Sequence, residues 1–481
     1  MTDHAGLERP LALSLMKPGG GWLIPGGGRV PNKLRRFATL PETLTSLRER
    51  PFAWYFTGSF SFFMAMAMML LVINFLAFDL TDAAWSLAVV GGTGGLVLLL
   101  AAPVGGVYAD RLNKRTLLVT TEALAAAFSF LVTLLIITDL VTFWHLATVM
   151  PVLAGLFSFI MPTRQAMVPS LVPQHKLGNA ISLEMGGSTL TQIIAPAMAG
   201  VLIAPIGAGG VFGITSVLFG LAAITDTRLP RHGLVGNQTS GALRKDIVGG
   251  FRYIRHHRII LLLLVSSLTG PLFGFPVEAM MPVFAEDVFD KGSVGLGLLA
   301  AMLGVGGLVG ALISARMDRQ PRKGLLLMIG SGAMCVFMFG YSLAPSFLLA
   351  LALLAGMSTG QMLYSATTAT VTLSLLDEGV RGRVMSIQTM SFGVMPLGLV
   401  PVALATDAIG PRLALAISAS ILGVALVLFF ALASEVRGLR LARAQEVGLS
   451  AVEAARLVAE GKLTEEEAKR RSGGRPAVVS D

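Results

Sequence analysis

From residue 52 to residue 433 one apolar stretch follows another, each near the 20 or so residues a helix needs to cross the hydrocarbon core of a bilayer. The first set lies near 52–78, 86–108, 116–138, 142–162, 179–204 and 208–227. The second lies near 258–284, 293–315, 324–343, 346–372, 384–406 and 411–433. Only 14% of the chain is charged, against roughly 25% in soluble domains, so lipid is the main solvent. Backbone groups in lipid must be paired within their own segment, and these spans are too long for tilted barrel strands. The expected fold class is an all-α membrane protein of twelve transmembrane helices.

The formal net charge of +9 could point to nucleic acid, but the basic residues are scattered between apolar stretches, and nucleic acid is set aside as a partner. Their placement carries topology instead. With an inside N-terminus, 35 of the 37 Lys and Arg fall on the cytoplasmic side, among them Arg164 and Lys176 after the fourth span, and only Lys291 and Arg412 face outward. That split implies a multi-pass protein of the cell membrane with both termini cytoplasmic. No cleavable signal peptide is visible at Leu11–Met16. Cys335 is the single cysteine, so no disulfide framework forms within the chain. The six histidines have no metal-binding spacing, and no Walker sequence occurs. No nucleophile–base pair falls in the spans, so no enzyme, cofactor or metal is expected.

The domain reading follows from these runs. Residues 1–50 form a Gly- and Pro-rich cytoplasmic tail, partly disordered, ending in a short surface helix over Thr39–Arg50. Residues 51–228 form one six-helix bundle, 229–257 a cytoplasmic linker, 258–434 a second bundle, and 435–481 a cytoplasmic tail. Within that tail Ser450–Arg471 reads as two short polar helices.

The halves repeat each other. Asp110-Arg111-Leu112-Asn113-Lys114-Arg115 matches Asp318-Arg319-Gln320-Pro321-Arg322-Lys323, and Leu171 to Leu183 matches Leu375 to Ile387. A duplicated six-helix unit in one orientation places a substrate site between two pseudo-symmetric bundles at mid-membrane. The run Gly106-Val107-Tyr108-Ala109-Asp110-Arg111-Leu112-Asn113-Lys114-Arg115 resembles the signature of the major facilitator superfamily between helices two and three. Pro162-Thr163-Arg164-Gln165, Leu171-Val172-Pro173, Leu177-Gly178-Asn179-Ala180 and Arg381-Gly382-Arg383-Val384-Met385-Ser386 resemble the branch that includes enterobactin exporters and macrolide efflux proteins. The resemblance covers roughly residues 50–434.

It implies the major facilitator fold, a monomer, and a cytoplasmic latch at Gly106, Asp110, Arg111, Lys114 and Arg115, echoed at Asp318 and Arg319. Ala195-Pro196-Ala197-Met198-Ala199-Gly200 resembles the family's antiporter motif, which makes Pro196 and Gly200 helix-bending candidates. Helices five and ten face the cavity in that family. Thr189, Gln192, Gln361 and Tyr364 are therefore candidates to hydrogen-bond a substrate, with interhelical bonding as the competing reading.

Charges deep in lipid default to a functional reading. Glu278, after Gly270-Pro271 and Pro276 in the seventh span, is the proton-coupling candidate, about six residues from the outer end. A solvated carboxylate at the outer mouth is the alternative. Glu122 and Glu184 lie about six residues inside the cytoplasmic ends of their spans, where pairing with loop arginines is expected. Met64, Met66, Met68 and Met69 offer soft surface that packs or meets substrate. The expected function is export of hydrophobic or amphiphilic small molecules, of drug, macrolide or siderophore class, by proton antiport with alternating access. An importer or facilitator, or a non-transporting membrane receptor or assembly protein of the same fold, is the alternative.

Overall fold

The structure, a computed structural model, describes residues 42–230, 254–255, 257–317, 320–376, 384 and 391–438; the side chains of 42–44, 102–104, 106–111 and 391–392 are outside the description. The body treated below begins at Leu44. Every regular element among the described residues is helical. In chain order they are α1 (Arg50–Asp79), α2 (Trp85–Arg111), α3 (Lys114–Ile137), α4 (Phe143–Leu171) and α5 (Leu177–Asp226). The second half holds α6 (Arg258–Val288), α7 (Gly292–Arg316), α8 (Lys323–Ser342), α9 (Phe347–Leu375), α10 (Met395–Ile409) and α11 (Pro411–Leu432).

Nine stretches among the described residues are long and apolar enough to cross a membrane, with Trp85–Ala101 and Met395–Ile409 as shorter apolar helices. One of the nine, Gln174–Asp226, has 53 residues, far more than a single crossing needs. It turns at Gly207, whose φ of 70° and ψ of 172° divide α5 into two arms. A side chain resists that backbone conformation, which glycine adopts freely.

Local chemistry sets several ends. The Asn113 side chain accepts the Thr116 N–H at 3.2 Å and caps α3. Gly410, at φ 85°, separates α10 from α11, and Pro411 opens α11, where its missing N–H costs nothing. α4 runs nine residues past the expected end at 162, with Pro151, Pro162 and Pro169 all inside it. Proline is tolerated in a membrane helix because neighbours re-satisfy the freed carbonyls. Arg164, assigned to a loop by the sequence, therefore lies within a helix. α6 is continuous but widened by π-helical turns at Gly270–Gly274 and Phe284–Val288. Pro271, Pro276 and Pro282 remove helical donors in this stretch.

The 3-10 helix Glu42–Arg48 is tied to the start of α5: the Ser46 N–H donates to Asn179 Oδ1 at 3.1 Å, its hydroxyl donates to the Lys176 carbonyl, and Lys176 pairs with Glu49 at 2.6 Å.

α1 packs along α5, and α2 packs on α4 as α7 packs on α9, equivalent pairs in the two repeats. Backbones approach closely in both. A Cβ on Gly105 would sit 2.1 Å from the Ser158 carbonyl, and one on Gly306 would sit 2.2 Å from that of Ala355. Small residues permit such contact where hydrophobic drive between helices is absent. Met68 and Met69 are buried in this packing. Cys335 is half-buried on α8, its thiol facing the Ala419 carbonyl of α11.

Candidate functional site

Three features stand out, one in each half and one between them. In the second half, Glu278, Gln361 and Tyr364 border a single cavity of about 220 Å³ together with Ser267, Gly270, Pro271, Phe275, Ser365, Thr368 and Met395. α6 supplies Glu278 and α9 supplies Gln361 and Tyr364. The glycines of the first π turn make this meeting possible, because a Cβ on Gly274 would sit 2.7 Å from Gln361 Nε2. Glu278 lies ten residues before Val288, the end of α6. That is about 15 Å along a helix axis, deeper than the six residues expected from a span ending at 284. No cation pairs with it among the described residues.

Thr189 and Gln192 do not border this cavity. They lie on the first arm of α5, where the Thr189 hydroxyl donates to the Met185 carbonyl at 2.8 Å and Gln192 is exposed.

In the first half a charged cluster is buried outright. Arg164 on α4, 2% exposed, places Nη2 at 2.5 Å from Glu122 Oε1 on α3 and 3.2 Å from Asp226 Oδ2 at the end of α5, both carboxylates fully buried. Its guanidinium carbon stands 5.1 Å from the Phe62 ring centre and 5.5 Å from that of Tyr55, within the range of cation–π attraction. Glu184 accepts hydrogen bonds from the Tyr55 and Ser59 hydroxyls. Gly58 clears the way for the aspartate, since a Cβ there would stand 2.6 Å from Asp226 Oδ1.

The sequence flagged Glu122 and Glu184 but not Arg164 or Asp226. The partner of Glu122 is an intrahelical arginine rather than one in a loop.

Between the halves, α5 meets α7 and α2 meets α10. A Cβ on Gly200 would stand 2.5 Å from both the Gly297 Cα and the Ser293 carbonyl. The backbone stays helical through Pro196 and Gly200, and the non-helical residue of α5 is Gly207. Gly200 thus serves a contact between the halves. At the same end of the bundle, Asp407 of α10 receives the N–H groups of Ala84 at 2.7 Å and Trp85 at 2.9 Å, across 323 and 322 residues of sequence. A carboxylate at the N-terminus of α2 is favoured by the helix dipole and by charge-assisted hydrogen bonding. These contacts close the end marked by Asp79, Asp82, Asp139 and Asp290, here called the acidic end. Asp407→Ala removes the cap. A cysteine placed at Ala88 in a Cys335→Ser background is expected to react with a thiol reagent several-fold faster in that variant, and an unchanged rate would show that the cap does not hold the closure.

The same interface carries an apolar cleft of about 750 Å³ between α2 and α10, lined by Trp85, Val89, Leu96, Pro396, Leu397 and Leu404 among others. Of the latch residues, Lys114 opens α3 and donates from Nζ to the Ala166 carbonyl at 3.1 Å, joining α3 to α4, and Arg115 is half-buried. Gly106, Asp110 and Arg111 fall within α2, but their side chains are outside the described residues, as are Asp318 and Arg319 altogether.

Apolar helices in this number, packed as two repeats with a polar cavity in the second, define a multi-pass membrane protein. Residues 95–399 match the profile of the Major Facilitator Superfamily. The chain belongs to that family, whose members are transporters and not enzymes. Macrolide efflux protein A of Streptococcus pyogenes is 23% identical over 288 residues, which are 59% of this chain and 69% of that protein. The staphyloferrin A transporter of Staphylococcus aureus is 25% identical over 374 residues, 74% of this chain and 90% of that protein. The uncharacterized MFS-type transporter y4rN of Sinorhizobium fredii is 29% identical over 259 residues, 51% of this chain. The chain spans 62% of the length of that relative. Among solved structures, the peptide transporter POT in complex with sulfate has a TM-score of 0.66 at 13% identity, covering 82% of this chain and 99% of that one. At that identity the likeness is one of fold.

Proposed function

We propose that this chain exports hydrophobic or amphiphilic small molecules, of drug, macrolide or siderophore class, in exchange for protons. The observation that carries the coupling is Glu278, a carboxylate without a cation partner among the described residues, on the wall of a cavity it shares with Gln361 and Tyr364. An ionisable group so far from either end of its span is costly unless it has a task. Loading and releasing a proton there would bias two arrangements of the halves.

The printed names of two relatives, a macrolide efflux protein and a staphyloferrin A transporter, support the substrate class. The apolar cleft between α2 and α10 supports it as well, since it offers an amphiphile a surface without polar demands. In this reading the ends rich in Lys and Arg face the cytoplasm of the cell in which the chain sits in the plasma membrane, with both termini inside. Contacts across the acidic end then hold an outward gate shut. Asp110 and Arg111 with Gly106, Lys114 and Arg115, and Asp318 with Arg319, form the latch at the opposite side. The protein works as a monomer of two bundles, 51–228 and 258–434. Pro196 gives the first arm of α5 its capacity to bend, and Thr189 and Gln192 meet solute when the halves part.

Cells producing the protein are expected to accumulate less radiolabelled macrolide than control cells while the proton gradient stands, and equally much once a protonophore is added. Glu278→Gln is expected to raise accumulation to the control level. Proton-driven export by that variant would remove Glu278 from the coupling role. Greater accumulation in producing cells would instead favour uptake, the reading the shared fold of a peptide transporter keeps in view.

A further inference from the structure

Glu122 and Asp226 are acceptors only when ionised, and an ionised pair has nothing to offer each other but repulsion. Yet both turn to the same Nη2 of Arg164, Glu122 Oε1 at 2.5 Å and Asp226 Oδ2 at 3.2 Å. Each keeps one further oxygen, Glu122 Oε2 and Asp226 Oδ1, buried and without a partner.

The surrounding elements supply no second cation among the described residues. α1 presents Tyr55, Ser59 and the space at Gly58, and α3 presents Glu122. α4 presents Arg164. α5 presents Glu184 from its first arm and Thr225 with Asp226 from its second. Glu184 accepts two hydroxyl donors at Oε1, keeps Oε2 without a partner, and is less deeply enclosed than the other two carboxyls. One guanidinium thus faces two fully buried carboxyls, and an uncompensated buried charge costs several kcal/mol.

We propose that Glu122 and Asp226 hold one proton between them beside Arg164, forming a proton-binding site in the first half of the chain that is separate from Glu278 in the second. With that proton in place the pair carries a single negative charge, which the guanidinium balances. The two oxygens without partners become a donor and an acceptor. Because α1, α3, α4 and both arms of α5 all meet at this point, loss of the proton would strain the packing of the whole first bundle. Its participation in solute flux rests on the proton-exchange reading above, whereas its occupancy does not.

Infrared difference spectroscopy on the full-length protein in lipid nanodiscs reads this occupancy without any transport. Protonated carboxyl groups absorb above the amide I band and ionised ones do not. At neutral pH a protonated-carboxyl band is expected, reduced in Glu122→Gln and in Asp226→Asn by the same increment, and reduced by a separate increment in Glu278→Gln. Wild-type protein made with carboxyl-13C aspartate tests the site even if a variant fails to fold. Asp226 is the one aspartate buried among the described residues, so part of the band is expected to shift with that label. A neutral-pH band that neither substitution diminishes and the aspartate label does not move would overturn the proton site. Macrolide export would be untouched by that result, just as its failure would leave the spectroscopic outcome standing.

Discussion

Arg164→Met is expected to cost the fold about 3–5 kcal/mol, the range seen when one member of a buried ion pair is removed and the other is left bare. Two carboxyls, both fully buried, lose their only cation among the described residues, and the Tyr55 and Phe62 rings lose a guanidinium within cation–π range of both. Methionine fills much of the space but answers neither charge. The protein carries its own reporter, because Cys335 is the single thiol and is half-buried between α8 and α11. A thiol-reactive dye will therefore signal unfolding at a clearly lower temperature in the variant. Adding Glu122→Gln and Asp226→Asn should restore most of the loss, since no bare charge then remains and the amides bond to one another. A triple variant no more stable than Arg164→Met would mean that shape, not charge, sets the cost.

Gly200→Leu is expected to push the halves apart at the acidic end. The first carbon of the new side chain would already lie 2.5 Å from backbone atoms of α7, so the contact with Gly297 cannot persist while both helices stay in place. Interfaces of this kind hold one of two arrangements rather than deforming gradually. Spin labels at Asp139 and Leu348, both exposed and on opposite halves, in a Cys335→Ser background, are expected to report a longer distance in the variant than in the parent. Solute flux is expected to fall at least tenfold, because a carrier held in one arrangement completes no cycle. An unchanged distance would place the gate elsewhere.

Most of the fold was legible in the sequence because membrane helices announce themselves by length and hydropathy. The seventh helix in the present numbering was expected at 293–315 and is Gly292–Arg316. α4 was expected to end at 162, with Arg164 beyond it, and an inner proline followed by an arginine is an ordinary place for a helix to stop. In water that reading is sound. In lipid the prolines are absorbed, and the arginine is neutralised by carboxyls that arrive from 42 and 62 residues away in sequence. No local pattern reveals such partners, and Asp226 in particular looks like an ordinary helix end. The meeting of Glu278 with Gln361 and Tyr364 was more accessible, since polar groups deep in apolar spans are few and tend to face one another. Thr189 and Gln192 satisfied the same criterion on the sequence, yet they do not border that cavity, because periodicity does not say which polar face of a glycine-rich helix turns inward. Gly200 shows the reverse case. Small residues near a proline suggested a bend, whereas the close approach of Gly297 gives the glycine a packing reason.

The exchange of solute for protons is tested most directly in liposomes holding the purified full-length protein, with a pH-sensitive dye trapped inside and a proton gradient imposed. Adding radiolabelled macrolide is expected to speed decay of the gradient while the label moves against the proton flow, and Glu278→Gln is expected to abolish both. A gradient that decays at the same rate with and without macrolide, or label that equilibrates no faster than in protein-free liposomes, would contradict the account.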